Sequence, residues 1–123
     1  MPELSCRLFS VKSAPGIAVA VIQGSIDPRN LFSLESKLSG KDFHTLILDL
    51  AEVRYINSAG LGYLVHLSDQ LAARGGRLCM ANAQPKVKVV FDLMGVTQFF
   101  RLYKSVDTAI RAIRPSAVAA RRS

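Results

Sequence analysis

Apolar and polar positions fall into blocks along the chain, and their period changes from one block to the next. Residues 4–11 (LSCRLFSV) and 17–23 (IAVAVIQ) are β-rich runs separated by Ser13-Ala14-Pro15-Gly16. Pro-Gly marks a tight turn, so the two runs read as a hairpin. The second run is apolar on both faces, as expected of a strand inside a sheet, and Gly24 is expected to end it. Asp27-Pro28 then reads as a helix start, with Asp as N-cap and Pro at the first helical position, where its missing N–H costs nothing. Leu31, Phe32, Leu34 and Leu38 supply that helix with an apolar stripe, and Gly40 closes it. Thr45 to Leu50 (TLILDL) reads as a third strand in a buried position.

Beyond the polar segment Tyr55-Ile56-Asn57-Ser58-Ala59-Gly60-Leu61-Gly62, apolar residues recur at helical spacing at Leu61, Leu64, Val65, Leu71 and Ala72. This helix runs through Arg74 to Gly75-Gly76, and Arg77 to Ala81 reads as a fourth strand. Asn82 to Pro85 opens a further helix with Val87, Val90, Phe91 and Met94 on one face and Gly95 as its cap. Phe99 to Tyr103 reads as an edge strand. Ser105 caps a last helix carrying Val106, Ala109, Ile110 and Ile113. The order β-β-α-β-α-β-α-β-α predicts an α/β domain. Its sheet is mixed, with four to five strands, mostly parallel after an antiparallel N-terminal hairpin, and about four helices. One domain is expected over 1–114, followed by a basic, disordered tail at 115–123.

Composition narrows the function classes. Half of the 123 residues are apolar and 20% are charged, a soluble globular balance. One of the two longest runs free of formal charge, Tyr55 to Ser68, contains Asn57, Ser58, two glycines and His66. It falls short of the roughly 20 apolar residues a bilayer requires, so no membrane insertion is expected. The first residues, MPELSCRLFSVK, carry Glu3 and no apolar stretch of signal-peptide length, so a cytoplasmic location is expected. Cys6 and Cys79 lack metal-ligand spacing and read as small buried hydrophobes. The net charge of +7 is concentrated partly at the end, where Arg111, Arg114, Arg121 and Arg122 follow the last acid, Asp107. Without aromatic residues to stack on bases, that tail reads as a solvated end and not as a nucleic-acid contact.

Chemistry is expected at Asn57-Ser58-Ala59-Gly60, between a buried strand and an amphipathic helix. Small residues at 58, 59, 60 and 62 would let a partner approach closely. Ser58 reads as an N-cap, worth roughly 1 kcal/mol, and equally as a phosphorylation site. A phosphate there would add about −1.5 to −2 charges where helix N–H groups favour an anion. Arg54 reads either as a counter-charge for that phosphate or as an exposed arginine worth under about 1 kcal/mol. Asp27 reads as a helix cap or as part of the same surface. Asp49 and Glu52 line the loop or are solvated strand-end acids. His44 and His66 lack ligand-spaced partners. A serine-nucleophile enzyme lacks its G-x-S-x-G elbow and its activating His–acid pair, and no ATP-holding G-x-x-x-x-G-K-[ST] loop occurs. No catalytic residue, metal site or cofactor is expected.

The stretch LILDLAEVRYINSAGLGYLVHLSDQLAARGGRLCMANAQPKVKVVFDLMGV resembles the core of STAS domains, specifically the anti-sigma-factor antagonists, and the resemblance spans Val19 to Ile113. It rests on an apolar strand, a D-S-[ST/A]-G-[LI] loop, a helix, a Gly-Gly turn, a strand, and a helix running into L-x-x-x-G. In that family the serine after the Asp is the phosphoacceptor, which falls on Ser58. The Gly-x-x-Asp of the second strand falls on Gly24-Ser25-Ile26-Asp27, with the Asp beside the phosphorylation site. Asn57 replaces the usual Asp and removes a negative charge. The resemblance implies a non-enzymatic switch that binds a GHKL-type serine kinase/anti-sigma factor when Ser58 is unphosphorylated. A PP2C-type phosphatase would reset it. The partner surface would comprise Asp27, Asn57, Ser58, Ala59, Gly60, Leu61 and Gly62. The resemblance equally admits a STAS subunit of a lipid-transport ABC complex, or a stressosome-like scaffold without a phospho-switch.

Overall fold

A computed structural model describes residues 4–40 and 42–113. The strands are β1 (Ser5–Ser10), β2 (Ile17–Ile26), β3 (Thr45–Ile56), β4 (Leu78–Ala81) and β5 (Arg101–Tyr103). The helices are α1 (Leu31–Leu38), α2 (Ser58–Ala73), α3 (Pro85–Leu93) and α4 (Val106–Ile113), with a short 3-10 turn at Val96–Gln98. The sheet order is β1-β2-β3-β4-β5, antiparallel between β1 and β2 and parallel thereafter. The expected mixed α/β sheet with four helices is the observed fold. The tail expected at 115–123 lies outside the described residues.

The monotonic strand order decides where the helices sit. Parallel strands joined by right-handed crossovers that all step in one direction place every crossover helix on the same face. Accordingly Leu34 and Leu38 of α1, Leu61 and Leu64 of α2, and Val87 and Phe91 of α3 share one core with Ala20, Leu46, Leu48 and Met80 of the strands. The opposite face is covered by α4, whose Ala109 packs on Val19, Ile47, Cys79 and Ala81. Alternate residues of β2 and β3 therefore face different cores, and both sets are apolar because both faces are buried. Cys6 and Cys79 are buried and unbridged, as expected, and belong to opposite faces of the sheet. Burial pushes both thiols above their ordinary range, that of Cys79 to about 11.

Several boundaries depart from the sequence reading. β2 does not stop at Gly24. It continues to Ile26 through an irregularity at which Gly24 adopts φ +106°, a left-handed value that glycine accepts without steric cost. β3 likewise runs past Leu50 to Ile56, because its polar second half remains paired with residues 23–26 of β2. α1 begins at Leu31 and not at Asp27-Pro28. The intervening residues form a turn closed by Asn30 N–H donating to the Asp27 carbonyl at 2.9 Å. Phe32, counted with the apolar stripe, is 81% exposed, because two and six positions from Leu34 and Leu38 put it off their face. Met94 also faces outward, at the C-terminal end of α3. Other signals match their positions: Pro85 opens α3, and Ser105 Oγ accepts from Thr108 N–H at 3.1 Å to cap α4.

Ala109 is fully buried where α4 meets the sheet, whereas Ala112 on the same helix is exposed. Ala109→Leu should therefore cost about 2 kcal/mol by overpacking, while Ala112→Leu should stay within about 0.5 kcal/mol. Urea unfolding of both variants checks this, and equal losses would contradict the placement of α4.

Candidate functional site

β2 and β3 end side by side, with Ile26 opposite Ile56, and this pairing positions the segment expected to carry chemistry. Asn57 N–H donates to the Ile26 carbonyl at 3.3 Å, prolonging the ladder by one bond. Asn57 keeps an extended backbone, and its Oδ1 accepts from Gly60 N–H at 3.0 Å. Asn57 is therefore the N-cap of α2, and Ser58 is its first helical residue. The capping role open to Ser58 in the sequence belongs to its neighbour, because the strand runs to Ile56 and leaves a single residue for the change of direction.

The first turn of α2 rests directly on the strand ends. A Cβ added to Gly60 would lie 2.7 Å from the Ile26 carbonyl oxygen, 2.9 Å from Ile26 Cγ2 and 3.1 Å from Ile56 Cγ1. Gly60 is small because the helix sits against backbone, not because a visitor needs room. Leu61 beside it is buried in the main core, whereas a Cβ on Gly62 would meet nothing within 4 Å. Ser58, Ala59 and Gly62 are exposed, and Asn57 is half-buried. Of the seven residues expected at a partner surface, four are accessible, while Asp27, Gly60 and Leu61 lie beneath and hold the turn. The Ser58 hydroxyl takes part in no hydrogen bond among the described residues.

Asp27 follows Ile26 into the turn opposite Asn57, and only 3% of it is exposed. It caps this turn and not α1. Its Oδ1 accepts from Arg29 N–H at 3.0 Å and from Arg29 Nε at 3.3 Å, and Oδ2 accepts from Nη2 at 2.8 Å. Hydrogen bonds from Arg29 hold the Asp27 carboxyl below its ordinary range, and the carboxylate raises the guanidinium in return. Asn30 Nδ2 ties the same turn back to the Ser25 carbonyl at 2.8 Å. Arg29 was not singled out by sequence; the available signal was the spacing D-x-R after a strand, which suits an Asx turn closed by an ion pair.

The other candidates lie apart. Asp49 accepts from Asn82 Nδ2 at 3.1 Å and from Ala51 N–H at 3.2 Å, which orders the β3–β4 region. Arg54 and Tyr55 are exposed near the end of β3, and Arg54 is the extra residue where the register shifts between Gly24 and Ser25. A surface depression of about 630 Å³ lined by Arg77, Phe99 and Arg101 sits at the starts of β4 and β5, the opposite end of the sheet from Ser58. No helix among the described residues is long and apolar enough to cross a membrane.

This arrangement of a parallel sheet and a capped helix start matches a known family: residues 9–109 fit the model of the STAS domain. The chain belongs to the STAS-domain family. As a STAS domain it is 30% identical over 102 residues to BtrV of Bordetella bronchiseptica, which carries the name of an anti-sigma factor antagonist. The alignment covers 80% of this chain and 88% of that one. Its fold is shared with the crystal structure of an anti-sigma factor antagonist from Mycobacterium paratuberculosis, at TM-score 0.79 and 23% identity, over 90% of this chain and 94% of that one. Bacillus SpoIIAA gives TM-scores of 0.73 in its unphosphorylated form and 0.68 in its phosphorylated form. The identities are 20% and 21%, over 88% and 89% of this chain and 96% and 100% of those.

Two outcomes are expected from the local geometry of this STAS domain. Asn57→Ala should lose about 1 kcal/mol of stability by removing the cap, whereas Ser58→Ala should stay within about 0.5 kcal/mol; chemical denaturation separates them, and the reverse order would reassign the cap. Asp27 contributes stability above the ordinary carboxyl value of 3.8, and this is lost as pH falls through its depressed native value. The stability gap between wild type and Asp27→Asn should thus be widest near neutrality and close in acid. A gap that widens below that value would refute the pairing.

Proposed function

We propose that this STAS domain is an anti-sigma-factor antagonist, a non-enzymatic interaction module switched by phosphorylation of Ser58. The observation that carries this reading is the division of labour at the start of α2. Asn57 caps the helix, so the exposed Ser58 hydroxyl is free for modification without loss of the cap. A phosphate on Ser58 would meet the positive end of the α2 dipole, an interaction worth about 0.3 to 1 kcal/mol. The fold should therefore tolerate the dianion.

A partner that buries Ser58, Ala59 and Gly62 would not tolerate it. Loss of about 2.7 kcal/mol weakens binding a hundredfold, and an unmatched desolvated dianion costs on that scale or more. The partner chemistry, carried over from the antagonists this chain resembles, is a GHKL-type serine kinase that is also the anti-sigma factor. It transfers the γ-phosphoryl of ATP to Ser58 Oγ: the new O–P bond forms as the bond to ADP breaks, and the hydroxyl proton passes to a base of the kinase. A PP2C-type phosphatase hydrolyses the ester and restores the hydroxyl. Neutral Asn57 leaves Ser58 without a carboxylate on the residue before it, so less negative charge opposes an incoming phosphate.

The test is a binding series with the cognate kinase. Ser58→Ala should retain the affinity of the unmodified wild type and no longer lose it on incubation with ATP, while Ser58→Asp should bind at least tenfold more weakly. Intact-mass measurement should show one added phosphate on wild type and none on Ser58→Ala. Equal affinities across the series, or a phosphate mapped elsewhere, would overturn the reading.

A further inference from the structure

We propose that Arg29, held in place by the buried Asp27 carboxylate, is the side chain that receives the phosphate carried by Ser58. The inference rests on phosphorylation at Ser58 and assigns the group that answers it.

Strand register brings the turn that carries Arg29 alongside the residue that precedes Ser58. Ile26 and Ile56 are partners in adjacent parallel strands, so Asp27 stands opposite Asn57, the residue before Ser58. Strands lie about 4.8 Å apart, which brings the turn 27–30 to the side of the α2 start. The Asn57 N–H bond to the Ile26 carbonyl fixes that junction.

The donor inventory of Arg29 leaves room for an anion. Guanidinium carries five N–H donors in a fixed fork. Asp27 engages Nε and one N–H of Nη2, leaving both N–H groups of Nη1 and the second of Nη2 without a partner among the described residues. The Asp27 side chain is 5% exposed while that of Arg29 is 63% exposed, so the engaged edge points inward and the free edge meets solvent. Asp27 thus acts as a positioning residue. It orients a cation that would otherwise sample many rotamers, and it keeps the fork loaded before any phosphate arrives.

Arg54 is the rival. It lies four residues before Ser58 on an extended strand, about 13 Å by strand rise, and among the described residues it makes no side-chain bond that would aim it at the helix. Along the adjoining chain the ionisable residues are Asp27 on the turn and Glu52 and Tyr55 on β3, and the first turn of α2 contains no acid. Of the two arginines, Arg29 is the one held in place by a bond within the fold.

The experiment installs phosphoserine genetically at position 58, so that it does not depend on any kinase, and follows the second phosphate ionisation by ³¹P NMR. That midpoint lies near 6 in a free phosphoserine. Arg29→Gln should raise it by about half a pH unit relative to the protein with Arg29 intact, and Arg54→Gln should leave it unchanged. Because Arg29→Gln also strips Asp27 of its partner, the comparison is repeated on an Asp27→Asn background, where Arg29→Gln should again raise the midpoint. The Arg29 Nε resonance should shift when residue 58 carries phosphate. Identical midpoints with and without Arg29 on both backgrounds would overturn the assignment, as would a shift caused by Arg54→Gln instead. Failure of the kinase to modify Ser58 would count against the switch and leave this measurement standing, so the two failures are distinguishable.

Discussion

The seating of the α2 start on the paired ends of β2 and β3 is the contact on which the rest of the structure depends. Ile26 and Ile56 run in register, the Asn57 amide continues their ladder, and Gly60 approaches the Ile26 carbonyl too closely for any side chain. Within these few residues the chain turns from strand to helix with one residue to spare. The backbone donors at the helix start are thereby divided: one satisfied by Asn57, the others left open. Leu61 and Leu64 then anchor the helix in the core shared with β2, β3 and β4. A serine in the first helical position of such a platform is displayed with little freedom of its own.

Much of this was legible in the chain, for identifiable reasons. Pro85 and Ser105 act through local stereochemistry, so their helix starts fall where expected. The apolar runs of β2 and β3 betray strands buried on both faces. What escaped was decided by pairing at a distance. Ala51, Glu52 and Arg54 look like a loop, yet they belong to β3 because residues 23–26 of β2 lie alongside. Gly24 looks like a terminator but serves as an irregularity within a continuing strand. Extending both strands moves every downstream role by a step: Asp27 caps a turn and not a helix, and Asn57 takes the cap that Ser58 seemed to hold. Phe32 stands two and six positions from Leu34 and Leu38, off their face at a period of 3.6, and it faces out accordingly.

Charge is arranged economically around this platform. The one buried carboxylate among the described residues, Asp27, is paired with Arg29, and the residue beside Ser58 is the neutral Asn57. On the proposed reading, an anion at the helix start would meet open N–H groups and the free edge of a guanidinium already held by Asp27. Arg29 itself is largely exposed and screened by solvent, so its value lies in where it waits.

The single-residue junction at Asn57 has a temporal consequence for the proposed mark beside it. Loss of such a mark is a hydrolysis, which no rearrangement of the backbone brings about. A phosphate ester on a serine persists until another enzyme removes it. Under the proposed phosphorylation the domain would therefore act as a one-bit memory, whose retention time is written by the enzymes that visit it.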